Sequence, residues 1–437
     1  MTKTKCGNFR VKLKVKPDLI GLARSYPKKF PALLASNTKN DKTGRFSILL
    51  AKSKKIKKAY NVSELNELLE NFDASLENTG KHKLPFYSGW FLYLSYASIK
   101  SWEYSLVNIQ HDNQQPLAVA IRCRSAVIID HVKNSYWLVA DSKKRIKKLN
   151  KILNKHKCLK VKFENLLAIQ QDDIGSYIDN VETAKEYIKQ GDVYQVNLAR
   201  NWQIKSDKTI NPLELYTSLS IHNPAPFAGL LQTKDFSIIS SSPERLVKVE
   251  DNVIESRPIA GTRPRDIDNI KDQALIDELI NHPKEQAEHI MLIDLERNDI
   301  GRVSKIGTVK VDEFMAVESY AKVHHIVSNV VGELEQDTSY NDIIKATFPG
   351  GTITGCPKIR CMQIIDELEK APRGAYTGSM GYITDDGRMD LNILIRTFSL
   401  SKNQLSLHAG AGIVYDSIAK NEAKESYYKA EALIKSL

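Results

Sequence analysis

No stretch of this 437-residue chain stays apolar for the roughly 20 residues that a membrane-spanning helix needs. The basic start, MTKTKCGNFRVKLKVK, lacks the apolar core that marks a secretory leader. Cysteine is scarce: Cys6, Cys123, Cys158, Cys356 and Cys361 are odd in number and form no C-x-x-C pair. That excludes a disulfide framework and a cysteine-ligated zinc site. A reducing, cytoplasmic setting with no membrane partner is expected. Several catalytic signatures are missing too. There is no G-x-S-x-G elbow and no H-E-x-x-H zinc pair. Gly350 and Gly355 have P-loop spacing, but Cys356-Pro357 stands where Lys-Ser/Thr would be. Gly410 and Gly412 begin a dinucleotide fingerprint that fails at Tyr415. There is no internal repeat, no low-complexity segment and no evident glutamine amidase.

What is present fits an ordinary globular protein: 42% hydrophobic and 26% charged residues. The net charge of +11 comes from lysine, with dense runs at Lys52–Lys58 and Lys143–Lys160. Such runs can neutralise phosphates, so a basic nucleic-acid-binding protein is one reading. Solvated helix faces are the other and are favoured, because Ile146, Leu149 and Leu153 recur at helical spacing among the lysines. No nucleic-acid partner is therefore expected. A positive field also suits an acidic substrate.

Residues 1–165 read as mixed strands (46–52, 118–130, 136–141) and a helix over 62–77. AIQQDDIG, 168–175, reads as a linker before a second region, 170–437. There a helix ends near Gly191 and VYQVNLARNWQI reads as a strand. Further strands are expected in FAGLLQT, FSIISSSPE, RLVKVEDNVIES, TVKVDEFMAVES and the stretch from Met380 to Val414. Helices are expected at 282–299, 361–370 and over the last 17 residues. Consecutive hairpins predict an α+β fold with large antiparallel sheets, arranged as a two-subdomain β-sandwich with flanking helices.

Several polar groups stand out. Glu285 and Glu288 share one helix face, as do Glu422, Glu425 and Lys429 on the last helix. Hard oxygen donors of this kind suit Mg²⁺, although glutamates so spaced also occur as plain helix surface. Pro349–Gly355 and Gly410-Ala411-Gly412 read as turns, each able to cradle an anion on free N–H groups. Arg396 ends an apolar strand and must reach solvent or an anion, and Tyr376 could offer a hydroxyl to that anion. His324 and His325 alternate on a strand, so one faces any cleft as a candidate base. Glu244, at a strand end, is a candidate general acid or an ion-pair partner.

Taken together, SRPIAGTRPR, PKEQAEHIMLIDLERNDIGRV, FPGGTITGCPKIR, MDLNILIRT and HAGAGIVYDS resemble the chorismate-utilising enzymes. These include component I of anthranilate and aminodeoxychorismate synthases and the isochorismate and salicylate synthases. SYPKKFPALLAS and PFYSGWFLYLSYA resemble the N-terminal part of the same family. The resemblance implies Mg²⁺ on Glu288 and Glu425, with Glu285 acting through water, holding the ring carboxylate of chorismate. It implies a grip on the enolpyruvyl carboxylate by Tyr376, Arg396 and the backbone at Gly410, Ala411 and Gly412, with Lys429 closing that side. Glu244 would be the acid that assists departure of the ring hydroxyl, and Thr352 and His325 active-site polar groups. Gln195 stands where water-adding relatives carry a lysine base, which points to ammonia from a separate glutamine amidotransferase subunit. Ala260, in PIAGT, stands where many aminodeoxychorismate synthases carry a nucleophilic lysine. Ala35, in LLAS, departs from the glutamate of tryptophan-regulated anthranilate synthases. The closest resemblance is to aminodeoxychorismate synthase component I, with anthranilate synthase component I next.

Overall fold

The computed structural model describes residues 2–4, 7–36, 43–73, 83–156, 168–206, 209–320 and 323–437. The fold is α+β, as expected, and the strands join through one connected network. Every pairing between named strands is antiparallel. Strands of the first 165 residues pair with strands of the later region: Ala32–Ala35 with Phe227–Gln232, and Gly89–Leu94 with Ser379–Thr384. The apolar cores cross the same seam. Leu33, Val127 and Leu138 pack with Trp202, Leu230 and Phe398 in one of them.

The strand Gln195–Lys205 shows how sequence becomes position. Val196, Leu198, Trp202 and Ile204 are buried in apolar clusters. The intervening Gln195 and Asn197 are left to face a cavity. This alternation is the period of a pleated strand. Its partner is Gln404–Ile413, paired along its full length.

Two helices flank this sheet. Pro283–Gly301 opens with proline at its first turn and His282 Nδ1 accepting from Glu285 N–H. Ala419–Ile434 closes the chain, burying Ala423, Ser426, Ala430 and Leu433. The lysine run expected to be a surface helix is one over Lys143–Lys155, with Ile146 and Leu149 buried. The expected helix over 62–77 is seen from Val62 to Asp73, and residues 74–77 lie outside the described residues. No helix among the described residues is long and apolar enough to cross a membrane.

Some local expectations are corrected. AIQQDDIG is not a bare linker. Ala168–Gln171 pairs with Trp202–Lys205, and Asp173 caps the next helix, Ile174–Lys189, by accepting from Gly175 and Ser176 N–H. RLVKVEDNVIES is a hairpin: Arg245–Glu250 and Val253–Ser256 pair around Asp251 and Asn252, both at positive φ (53° and 66°). Gly410-Ala411-Gly412 is not a turn but the interior of the Gln404–Ile413 strand.

Candidate active site

The strand Gln195–Lys205, its partner Gln404–Ile413 and the two flanking helices enclose a cavity of about 820 Å³. It is lined by Gln195, Glu244, Ala260, Glu285, Glu288, His325, Thr352, Tyr376, Arg396, Gly410, Gly412, Glu425 and Lys429. The sequence scatters these residues from 195 to 429, and the sheet gathers them. Ala411 does not line it. Strand alternation turns its methyl into the apolar core beside Ile413, so that position offers the cavity only backbone.

One end is carboxylate-rich. Glu285 and Glu288 enter from the Pro283–Gly301 helix, and Glu422 and Glu425 from the C-terminal helix. Burial, then the charges of Glu285 and Glu425, hold the Glu288 carboxyl above its usual range, while Gln195 Nε2 donates to its Oε1 at 3.2 Å and offsets part of this. Burial also raises Glu422. Glu285 is paired with Arg263 (3.2 Å), and Glu425 with Lys429 (2.7 Å). Among the described residues no three His, Cys, Asp or Glu side chains stand close enough to hold a metal by themselves. Mg²⁺ commonly takes one or two protein carboxylates and fills its shell with water and substrate. Mutually repelling carboxylates fit such a cation, and the charge of Glu425, on the C-terminal helix, acts on Glu288, on the other helix.

Basic and aromatic side chains line the cavity beside these carboxylates, Lys429 being paired with Glu425. Arg396 lies between the strands Met389–Ile393 and Thr397–Ser401, rather than at a strand end, in a left-handed conformation (φ 51°). Burial lowers its pKa and the nearby Glu244 carboxylate raises it. Tyr376 stacks on His408, centroids 5.5 Å apart and planes at 18°, and burial raises its hydroxyl pKa to about 12. Lys429 Nζ donates to Gly410 O at 2.9 Å.

Glu244 also lines the cavity and is 6% exposed. Burial raises its pKa to about 8, against the pull of the neighbouring Thr352 hydroxyl, and the charge of Glu296 raises it further. Gln195 Oε1, Glu244 Oε1 and Thr352 Oγ1 are all buried without a hydrogen bond of good geometry. These three all border the cavity, where water or a ligand can reach them. Thr352 is carried by the turn Gly351–Ile353, whose glycine answers to packing: a Cβ at Gly351 would stand 2.1 Å from Leu295 Cδ2. Gly412 is held open for another side chain, since a Cβ there would stand 2.2 Å from Gln195 Nε2.

The two adjacent histidines separate as alternation requires. His325 faces the cavity, with Nδ1 2.9 Å from Thr262 Oγ1. Burial, then Arg396, pushes its pKa down to about 4, so the imidazole is neutral near neutral pH. His324 is structural, held by Asp272 (2.9 Å) and Ser319 (2.7 Å). Sequence reasoning assigned no role to Asn197, Thr262 or His408, all on the cavity wall, and Glu422, noted there as a possible oxygen donor, lines it too. The polar positions alternating along VYQVNLARNWQI were a usable signal for Asn197.

With this geometry in view, the comparisons with known proteins can be weighed. Residues 31–435 match the model of the chorismate binding enzyme family. An anthranilate synthase component I-like protein of Synechocystis is 43% identical over 380 residues, covering 86% of this chain and 78% of that protein. The chain belongs to the chorismate-binding enzymes. Within that family, aminodeoxychorismate synthase component 1 of Bacillus subtilis is 41% identical over 379 residues, covering 83% of this chain and 80% of the relative. The crystal structure of anthranilate synthase component I from Streptococcus pneumoniae superposes with a TM-score of 0.78 at 33% identity, over 91% of this chain and 93% of that one.

Proposed function

We propose that this enzyme aminates chorismate and that its product is 4-amino-4-deoxychorismate. The observation that carries the amination is Gln195. Its Nε2 is held by Glu288, and its Oε1 is buried and unpartnered on the cavity wall. A neutral amide does not deprotonate water, but it can accept a hydrogen bond from ammonia, which is itself a nucleophile. The ammonia would come from a glutamine amidotransferase partner, as the component I names of the relatives imply.

In this reading Arg396, Tyr376, Lys429 and the Gly410–Gly412 backbone bind the enolpyruvyl carboxylate. Glu288 and Glu425, with Glu285 behind them, hold Mg²⁺. When bound, Mg²⁺ supplies charge neutralisation for the ring carboxylate. Glu244 keeps its proton at neutral pH and gives it to the departing ring hydroxyl. Fixing a dianion at both ends makes ring substitution a positioned event.

The pieces SGWFLYLSYA, GCPKIRCMQIIDELEKAPRGAYTGSMGY and MDLNILIRT, with Ala35, support the 4-amino product. Ala260 favours a second reading, anthranilate synthase component I. Its methyl lines the cavity where a lysine nucleophile would otherwise sit, and two of the three relatives above carry anthranilate synthase in their names. Incubation with chorismate, Mg²⁺ and ammonium, with and without an aminodeoxychorismate lyase, separates the two. Lyase-dependent 4-aminobenzoate is expected. Release of 2-aminobenzoate without lyase gives the answer to the second reading, and no amine product from chorismate overturns both.

A further inference from the structure

The C-terminal helix Ala419–Ile434 turns two neighbouring faces to two different spaces. Glu422, Glu425, Lys429 and Leu433 line the cavity already described. Lys424, Tyr428, Glu431 and the cap residue Lys435 recur at the three- and four-residue spacing of one helix side, and they line a second hollow of about 620 Å³. Glu425 and Lys429 border both spaces, and so does Arg396. The hollow reaches the surface, since Tyr428 is 64% exposed and Lys424 is exposed too. Its far wall is the turn 222–224, after the helix Pro212–His222, with Tyr320 and Val323.

Charge is spread unevenly over this hollow. Lys429 is paired with Glu425 at 2.7 Å and Lys435 with Glu431 at 3.2 Å, so these cancel in pairs. No other carboxylate lines the hollow. Among the described residues, neither the Lys424 ammonium nor the Arg396 guanidinium has an ion pair or a hydrogen-bond partner. Two uncancelled cations therefore stand on one wall, Lys424 at the surface and Arg396 at the boundary with the cavity. A part-buried guanidinium with no acid beside it favours an anion there.

We propose that this hollow is the entrance by which chorismate reaches the cavity, and that Lys424 steers it there. This rests on the reading of chorismate as the substrate. A dianion is drawn to an unpaired ammonium at the surface, and a hollow whose net charge has one sign focuses that attraction. From there the substrate passes the half-exposed Glu425–Lys429 pair, which borders both spaces, and meets Arg396. Lys424 lines only the outer hollow. It therefore acts on how fast chorismate arrives and not on turnover once chorismate is bound.

The test is the association rate of chorismate, followed by stopped-flow fluorescence with Mg²⁺ and without ammonia, in wild type, Lys424→Gln, Lys424→Glu and Lys151→Glu. Lys151 is exposed on the Lys143–Lys155 helix and borders neither space, so its substitution makes the same change in net charge elsewhere. At about 10 mM salt, where charges act over about 30 Å, Lys424→Glu is expected to slow association roughly 3–10-fold and Lys424→Gln by less. At about 1 M salt, where the reach is about 3 Å, the difference should fall below about 1.5-fold. With ammonium added, kcat at saturating chorismate should stay at the wild-type value. Equal low-salt rates in wild type and Lys424→Glu overturn the proposal. Equal slowing by Lys151→Glu also overturns it, because the effect is then one of overall charge, and so does a lowered kcat, because Lys424 then acts on the reaction itself. A wild type that binds no chorismate refutes the substrate, and the steering of it falls as well.

Discussion

Two layers of polar groups lie one behind the other, and the fold treats them oppositely. On the cavity wall, Gln195 Oε1, Glu244 Oε1 and Thr352 Oγ1 are buried and unpartnered. Just behind, Arg373 is 3% exposed and thoroughly bonded. It donates to both Glu369 oxygens (2.8 and 2.6 Å), to Asn197 O (2.6 Å) and to Ile353 O (3.2 Å), and its guanidinium lies over the Tyr96 and Tyr376 rings. The layers meet in single residues. The Asn197 carbonyl is held by Arg373 while its side chain lines the cavity and donates to Thr352 O. A saturated ion pair thus supports a surface whose polar valences are left open. This division is what a binding site for a charged ligand requires, since open groups with no rigid backing would turn to one another.

The contrast can be broken by substitution. Glu244→Gln should lower chorismate turnover by about 10²–10⁴-fold, the usual worth of a positioned acid, with the thermal midpoint unchanged. A matching loss of stability would show that Glu244 belongs to the supporting layer. Arg373→Met should do the reverse. Leaving Glu369 buried and unpaired should cost about 3–5 kcal/mol in urea unfolding, and a cost below about 1 kcal/mol would dissolve the distinction between the layers.

Smaller changes sharpen it. Gly412→Ala places a methyl against Gln195 and should push that amide away from Glu288. A loss of roughly 10–100-fold in kcat/KM for ammonia is expected, with little change in melting temperature, and unaltered kinetics would remove Gln195 from the account. Lys429→Gln should have the least effect on stability, within about 1 kcal/mol, because its pair with Glu425 is half exposed. Its effect should appear in KM for chorismate instead.

Much of this was legible in the chain. Apolar spacing within Lys143–Lys160 anticipated the helix Lys143–Lys155, the helices expected to end near Gly191 and to fill the last 17 residues are seen at Ile174–Lys189 and Ala419–Ile434, and strand alternation separated His324 from His325. What escaped depends on groups distant in sequence. The glycines at 410 and 412 read as a turn because local rules associate glycine with turns. Their actual requirement comes from across the sheet, where Leu198 O and the Gln195 side chain leave no room for a Cβ. The Gly350-Gly351 pair has a packing reason that local rules do not show, since Ile393 and Leu295 close the space above it. AIQQ has no apolar face, so nothing local reveals that it pairs along an edge.

The pairing of Gly89–Leu94 with Ser379–Thr384 also bears on how the molecule is made. On a ribosome the earlier strand emerges long before its neighbour, and its free edge must wait, open to pairing with other nascent chains. Assembly should therefore be slow, concentration-sensitive and dependent on chaperones until the late strand arrives. Fragments ending before residue 379 should precipitate rather than fold.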